Sequence, residues 1–224
     1  MSAAFAAGLL LAWLAGSLPT AYLVGKAYGV DLRTVGSGNL GATNALRTLG
    51  WKAGLLVYLV DTLKGALPVA LLPRLLASAF GGSAHPHWGM AFGLAAVLGH
   101  VKPVFLRGKG GGKGVATASG VFLALAPIPA IGALLAFIGT VWTTRYVSLG
   151  SLVGAVVLTA VAGWQLGARS PVFGLAVAVT AFVFYTHREN IARLRAGTER
   201  KLGRTASSGA ATDGHVGSSP RTDA

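Results

Sequence analysis

Four short stretches of this 224-residue chain concentrate the residue types that grip an anion. The first, "GSGNLGATNALR", carries Ser37, Gly38, Asn39, Gly41, Thr43, Asn44 and Arg47. The second, "GHVKPVFLRGKGGGKGVAT", holds His100, Lys109 and Lys113 around a glycine run that includes Gly111 and Gly112. The third, "TTRYVSLGS", supplies Arg145 and Ser148. The fourth, "THRENIARLRAGTE", sets His187 and Asn190 three apart, on one face of a helix. Successive glycines expose backbone N–H groups, and such nests hold anions. Arginine binds two phosphate oxygens at once, and lysine adds a point charge. Together these loops suit a phosphorylated ligand.

Several chemistries are excluded by spacing. Gly36-x-Gly38-x-x-Gly41 satisfies the dinucleotide fingerprint by letter, but that fingerprint needs a strand before it and a βαβ unit around it. Here an apolar helix precedes it. The second loop fails the Walker pattern twice, because Gly114 follows Lys113 and Arg107 stands where a glycine is required. No pair of carboxylates has metal-ligand spacing, so a magnesium-dependent phosphotransferase is disfavoured and neither metal nor cofactor is expected. No histidine is followed by an acid five positions later, and no Gly-x-Ser-x-Gly elbow occurs. With no cysteine, thiolate metal sites and a cysteine nucleophile are excluded too. The chemistry must run on Arg, Lys, Asn, Ser, His and backbone amides.

The elements that position these loops are membrane spans. The chain is 53% hydrophobic and only 11% charged, with 33 glycines, too apolar for a soluble sphere of this size. Apolar segments of spanning character cover Ala4–Val24, Ala53–Leu72, His87–Leu106, Val115–Ala126, Ile131–Trp142, Val147–Gln165 and Pro171–Tyr185. We therefore expect an all-α integral membrane protein of seven transmembrane helices, six if Val115–Ala126 is half of a hairpin. No Lys or Arg precedes Lys26, so the first span lacks the basic start of a signal peptide and reads as retained, its N-terminus outside. Segments 25–52, 101–114, 144–146 and 187–224 then share one side and hold most of the basic residues, whereas the opposite loops hold only Arg74 and Arg169. The positive-inside rule makes the basic side cytoplasmic, the C-terminus included.

That distribution also explains the net charge of +13. Basic membrane loops bind anionic lipid, and the charges are too dispersed for a nucleic-acid interface. Residues 1–202 read as one membrane-embedded domain. Residues 203–224, "GRTASSGAATDGHVGSSPRTDA", are small, polar and aperiodic, and read as a disordered cytoplasmic tail. Within the second span Asp61 and Lys64 lie three apart, about 15 Å along the helix, where ionisable groups must face protein or water. A structural ion pair and a part in the site are equally compatible with that spacing.

The blocks "GSLPTAYLVGK", "GSGNLGATNALRTLG", "DTLKGALPV", the His100–Thr117 glycine block, "RYVSLGS" and "HRENIARLRAGTE" occur in order over roughly residues 16–200. As an ordered set they resemble the bacterial acyl-phosphate:glycerol-3-phosphate acyltransferase family, PlsY. The resemblance implies a seven-helix enzyme of the bacterial plasma membrane with its site at the cytoplasmic face. It implies transfer of a fatty acyl group from acyl phosphate to glycerol 3-phosphate, giving lysophosphatidate and inorganic phosphate, the first step of phospholipid synthesis. Ser37, Arg47 and a lysine of the glycine loop would clamp phosphate, assisted by Gly38, Asn39, Gly41, Asn44, Gly111 and Gly112. Ser148, His187 and Asn190 would serve the acyl-transfer region, with Asn190, Lys109 or Lys113 donating to the oxyanion. Either His187 or a substrate phosphate oxygen would take the hydroxyl proton. The family's glycine block reads Lys-Gly-Gly-Lys-Gly; here one more glycine separates Lys109 from Lys113, so Lys109 matches only if the loop absorbs a residue. A small organophosphate transporter is the competing class, but no internal repeat of the transporter kind is found. Oligomeric state and acyl-chain preference are not written in the residues.

Overall fold

The computed structural model describes residues 3–203, so the expected tail lies, apart from Gly203, outside the described residues. Helices follow one another without a strand among the described residues: α1 (Ala3–Ser17), α2 (Thr20–Ala27), α3 (Ala42–Leu49), α4 (Trp51–Ala79), α5 (Trp88–Val101), α6 (Val115–Leu125), α7 (Pro127–Thr144), α8 (Val147–Leu166), α9 (Pro171–Thr186) and α10 (Arg188–Arg195). The first expected span is broken by Pro19, which lacks the N–H a continuous helix needs, so α1 and α2 meet at Leu18. By contrast, Pro127 starts α7 rather than stopping it. A proline at the first helical position loses a bond that would have been orphaned anyway.

Five segments are long and apolar enough to cross a membrane: Ala3–Ala27, Trp51–Ala79, Trp88–Leu106, Pro127–Thr144 and Val147–Leu166. A sixth arises if α9 and α10, bent by 60° at His187, count as one. Helix α6 has 11 residues, about 16 Å at 1.5 Å each against a hydrocarbon layer of about 30 Å. The expectation of seven spans is met only by including α6 and the bent pair.

Inside a membrane there is no water to drive helices together, so association relies on close packing at small residues. Helices α4 and α6 show how. Gly65 faces the carbonyl of Thr117, and Gly120 faces that of Thr62, so closely that a Cβ at either glycine would overlap the oxygen. A larger core, with Val121, Phe122, Leu152, Leu158, Ala176 and Val179, joins α6, α8 and α9. The outer faces remain apolar, as lipid contact requires, and Trp51, Trp142 and Trp164 are exposed near helix ends, where amphipathic rings favour the interface. The bundle leaves the loops after α2 and α5, the start of α8 and the α9–α10 bend around one cavity.

Candidate active site

That cavity has a volume of about 730 Å³, within the range of small-molecule sites. Its walls include Ser37, Gly38, Asn39, Gly41, Asn44, Arg47, Gly111, Gly112, Lys113, Ser148, His187 and Asn190. Every candidate from the sequence lies on it except Lys109 and Arg145. Lys109 is exposed, away from the cavity walls. Gly108 and Gly110, on either side of it, both adopt positive φ.

The first loop is held by its own asparagine. Asn44, at 1% exposure, accepts from the Ser37 N–H at 3.0 Å and donates to the carbonyls of Leu32 at 2.9 Å and Val35 at 3.2 Å. Its amide is fully occupied in shaping the turn, so its contribution to ligand binding is indirect. Gly36 and Gly38 take φ of 65° and 68°, a left-handed conformation that glycine adopts without strain. The N–H groups of Gly38 and Gly41 bond to Val35 and Asn39 inside the loop. The expected nest therefore does not offer the amides of Ser37, Gly38 or Gly41. Side chains carry the positive face instead, Arg47 foremost. Helix α3, starting at Ala42, brings Arg47 to the cavity, where one terminal nitrogen donates to the Arg200 carbonyl at 2.9 Å. Its Nε is buried with no hydrogen-bond partner in the protein.

Opposite Arg47 lies a network that the sequence did not disclose. Glu199, beyond the end of α10, is 8% exposed. Its Oε1 accepts from Ser148 Oγ at 2.8 Å and from Asn190 Nδ2 at 2.7 Å, and its Oε2 accepts from Arg193 Nε at 2.8 Å. Burial alone would raise its pKa, but the bonds from Arg193, Asn190 and Ser148 outweigh that and hold it below the ordinary 4.5. Glu199 thereby fixes the Asn190 amide, leaving the Asn190 oxygen to accept from Lys113 Nζ. Burial, with the Arg193 cation adding to it, pushes the Lys113 ammonium below its ordinary 10.5. Only the position of Glu199 in "RENIARLRAGTE", an acid within a basic run, could have marked it.

His187 sits at the bend between α9 and α10, 3% exposed. Its Nδ1 lies 2.8 Å from the Val183 carbonyl. A carbonyl only accepts, so Nδ1 carries the proton and Nε2 keeps its lone pair. The site thus combines a partly unpaired guanidinium, a buried ammonium, a neutral imidazole and a carboxylate that orients a hydroxyl and an amide. It can hold an anion and develop another.

A second, smaller apolar cavity of about 80 Å³ adjoins this one and shares Tyr58, Val115, Phe137 and Ser151 with it. Ala118, Phe122, Ala133 and Leu158 continue its walls between α6, α7 and α8. A polar chamber and an apolar groove meet at one rim.

Known proteins are similar over most of this chain. The glycerol-3-phosphate acyltransferase of Geobacter sulfurreducens is 48% identical over 192 residues, covering 86% of this chain and 94% of its own. That of Thermus thermophilus is 49% identical over 198 residues, covering 87% and 94%. The crystal structure of PlsY (YgiH), an integral membrane glycerol 3-phosphate acyltransferase, superposes in its glycerol 3-phosphate form with a TM-score of 0.79 at 40% identity, over 89% of this chain and 96% of that one. Its lysophosphatidic acid form gives 0.75 at 39% identity, over 89% and 95%. The model of the family described as glycerol-3-phosphate acyltransferase matches residues 6–197, a stretch that takes in the first three anion-gripping loops whole and the fourth as far as Gly197, and by these matches the chain belongs to that family.

Proposed function

We propose that this protein transfers a fatty acyl group from acyl phosphate to the 1-hydroxyl of glycerol 3-phosphate, releasing lysophosphatidate and inorganic phosphate. The observation that carries the reading is the chamber in which Arg47, with one terminal nitrogen on the Arg200 carbonyl, stands beside Lys113, His187 and Asn190. A guanidinium and an ammonium gathered in one cavity call for an anion, and phosphate oxygens accept from both. Glycerol 3-phosphate and acyl phosphate both bring phosphate to this chamber. The adjoining apolar groove takes the acyl chain.

An acyl phosphate is a mixed anhydride with a good leaving group, so attack can be direct. The glycerol hydroxyl oxygen bonds to the acyl carbon, the bond from that carbon to the phosphate oxygen breaks, and phosphate departs with both electrons of that bond. Arg47 and Ser37 hold phosphate, and Ser148, whose one hydroxyl proton goes to Glu199, offers its lone pairs to a glycerol hydroxyl. Lys113 donates to the tetrahedral oxyanion, joined by the Asn190 N–H that Glu199 leaves free. His187 Nε2 accepts from the attacking hydroxyl and orients it, and the proton leaves through His187 or directly on the departing phosphate. Holding both anions and the hydroxyl in one geometry supplies much of the acceleration.

The topology follows from the order in which helices touch the chamber. The residues before α4, after α5, before α6, at the start of α8 and after α9 all line it. Each intervening pair of helices must leave that face and return. This supports seven crossings, α6 being a short one, with the N-terminus on the far side. The basic residues cluster on the chamber's side, which supports a cytoplasmic site in a bacterial plasma membrane among anionic lipids.

Purified protein supplied with acyl phosphate and glycerol 3-phosphate should release inorganic phosphate and form lysophosphatidate in equal amounts, with chelator present. Uptake of glycerol 3-phosphate into proteoliposomes without acylation would overturn the assignment. A His187→Ala variant separates the two proton routes: loss of the rising limb of the pH–rate profile makes His187 the base, and an unchanged limb with a raised KM makes phosphate the acceptor.

A further inference from the structure

Three ionisable side chains lie buried in the helix bundle apart from the anion clamp: Asp61, Lys64 and His100. Charges at this depth are expensive and need a reason. Lys64 has one. Its Nζ donates to the Leu18 carbonyl at 2.9 Å, at the break that Pro19 makes between α1 and α2, and pairs with Asp61 Oδ1 at 2.7 Å. Asp61 is the countercharge that lets the ammonium remain there. His100 is left over, with Nδ1 3.8 Å from Asp61 Oδ1.

The other side of the His100 ring faces the glycine loop. A Cβ built on Gly112 would overlap His100 Nε2, and it would come within 3.0 Å of the Leu40 carbonyl. Gly112 is absent from the residues with positive φ, so its missing side chain answers to this contact and not to backbone conformation. The Gly112 N–H also donates to the His100 carbonyl at 3.3 Å. Gly112 is thus wedged between the ring and the end of the first loop, and both Asp61 and His100 line the chamber.

We propose that His100, braced from behind by the Asp61–Lys64 pair, is a positioning residue whose ring sets the spacing between the Gly36–Gly41 and Gly108–Gly114 loops and so the affinity of the phosphate site. The assignment rests on the phosphate-clamp reading above. It gives the buried triad a single role, which is to transmit the rigid break of the first span to the loop that carries Lys113. Lys113 follows Gly112 directly, so a shift of the glycine moves the ammonium as well.

The test is a double-mutant cycle on purified, detergent-solubilised protein with His100→Ala, Gly112→Ala and both together. Inorganic phosphate and glycerol 3-phosphate binding are measured by titration calorimetry, and KM and kcat with acyl phosphate. Each single change should weaken binding of both ligands roughly tenfold and raise KM alike, the loss expected of about one hydrogen bond to a charged group. The value of kcat should change by less than about threefold on the same free-energy scale. The double variant should be no worse than the weaker single, because both act on one contact. Losses that multiply, or unchanged phosphate affinity in either single variant, overturn the proposal. Should His100→Ala fail to fold, His100→Asn takes its place in the cycle: a Gly112→Ala loss that the smaller side chain relieves supports the contact, and one that it leaves unchanged overturns it. Wild-type protein that binds phosphate with this pattern but transfers no acyl group would sink the enzymatic reading and leave the loop assignment standing.

Discussion

Two polar centres are built on opposite logics. Around Glu199 a carboxylate beyond the end of α10 collects neutral and charged donors from two helices: Ser148 at the start of α8, Asn190 and Arg193 on α10. Around Asp61 a carboxylate deep in α4 meets a lysine one turn away on the same helix. The first centre stands at the rim and orients side chains that line the chamber. The second lies deeper between helices, reaches the chamber through Asp61 and His100, and ties α4 to the break in the first span. Depth accounts for the difference. Far from water an unpaired charge is intolerable, so Asp61 and Lys64 must be paired at all times, whereas at the rim the binding groups can keep unused valences for substrate.

Breaking the deep centre should produce the largest effect. Lys64→Met removes one partner of a buried pair and should destabilise the fold by about 3–5 kcal/mol, read as thermal unfolding in detergent. Arg47→Ala should do the reverse, leaving the melting temperature close to wild type while kcat/KM falls about 10²–10³-fold, as for loss of a preorganised electrostatic donor. Near-normal kinetics at low substrate would remove Arg47 from the clamp.

Glu199→Gln probes the rim more gently. It keeps the shape but removes the charge that aligns Ser148 and Asn190, and should lower kcat/KM about 10–100-fold, the worth of charged hydrogen bonds. The same carboxylate predicts a pH effect. Its folded pKa is depressed, so its contribution to stability is complete above the unfolded value near 4.5 and is lost as pH falls through the lower folded value. Unfolding temperature should therefore decline below pH 4.5, and the Glu199→Gln variant should lack that part of the decline. The smallest effect belongs to Lys109→Ala. An exposed residue away from the chamber should change turnover by about twofold or less, while Lys113→Ala should nearly silence it. Comparable losses in both would restore Lys109 to the site.

The two centres were unequally visible before folding. Asp61 and Lys64 could be found because helical spacing fixes their neighbourhood: three residues apart always means one face. Asn44 and Arg47, also three apart, likewise fall on one short helix, α3. Roles within a loop were harder to read. The amides of Ser37, Gly38 and Gly41 looked available in the letters, yet the loop closes on itself and consumes them. Lys109 and Lys113 looked alike in composition. The first lies exposed between two glycines of positive φ and the second lines the chamber, because backbone direction after a left-handed turn cannot be read from residue type.

Alone, the amino-acid order determined that this chain is helical and membrane-embedded, and that residue types able to grip an anion gather in four short stretches. Those properties depend on hydrophobic run length, charge placement and residue type, all of which are local. Only the tertiary structure decided that Glu199 rather than a second lysine orders the site, that Asn190 presents its oxygen to Lys113, and that His100 stands against Gly112. Such facts depend on distances of a few ångströms between elements far apart in sequence, and those distances are set by the packing of whole helices.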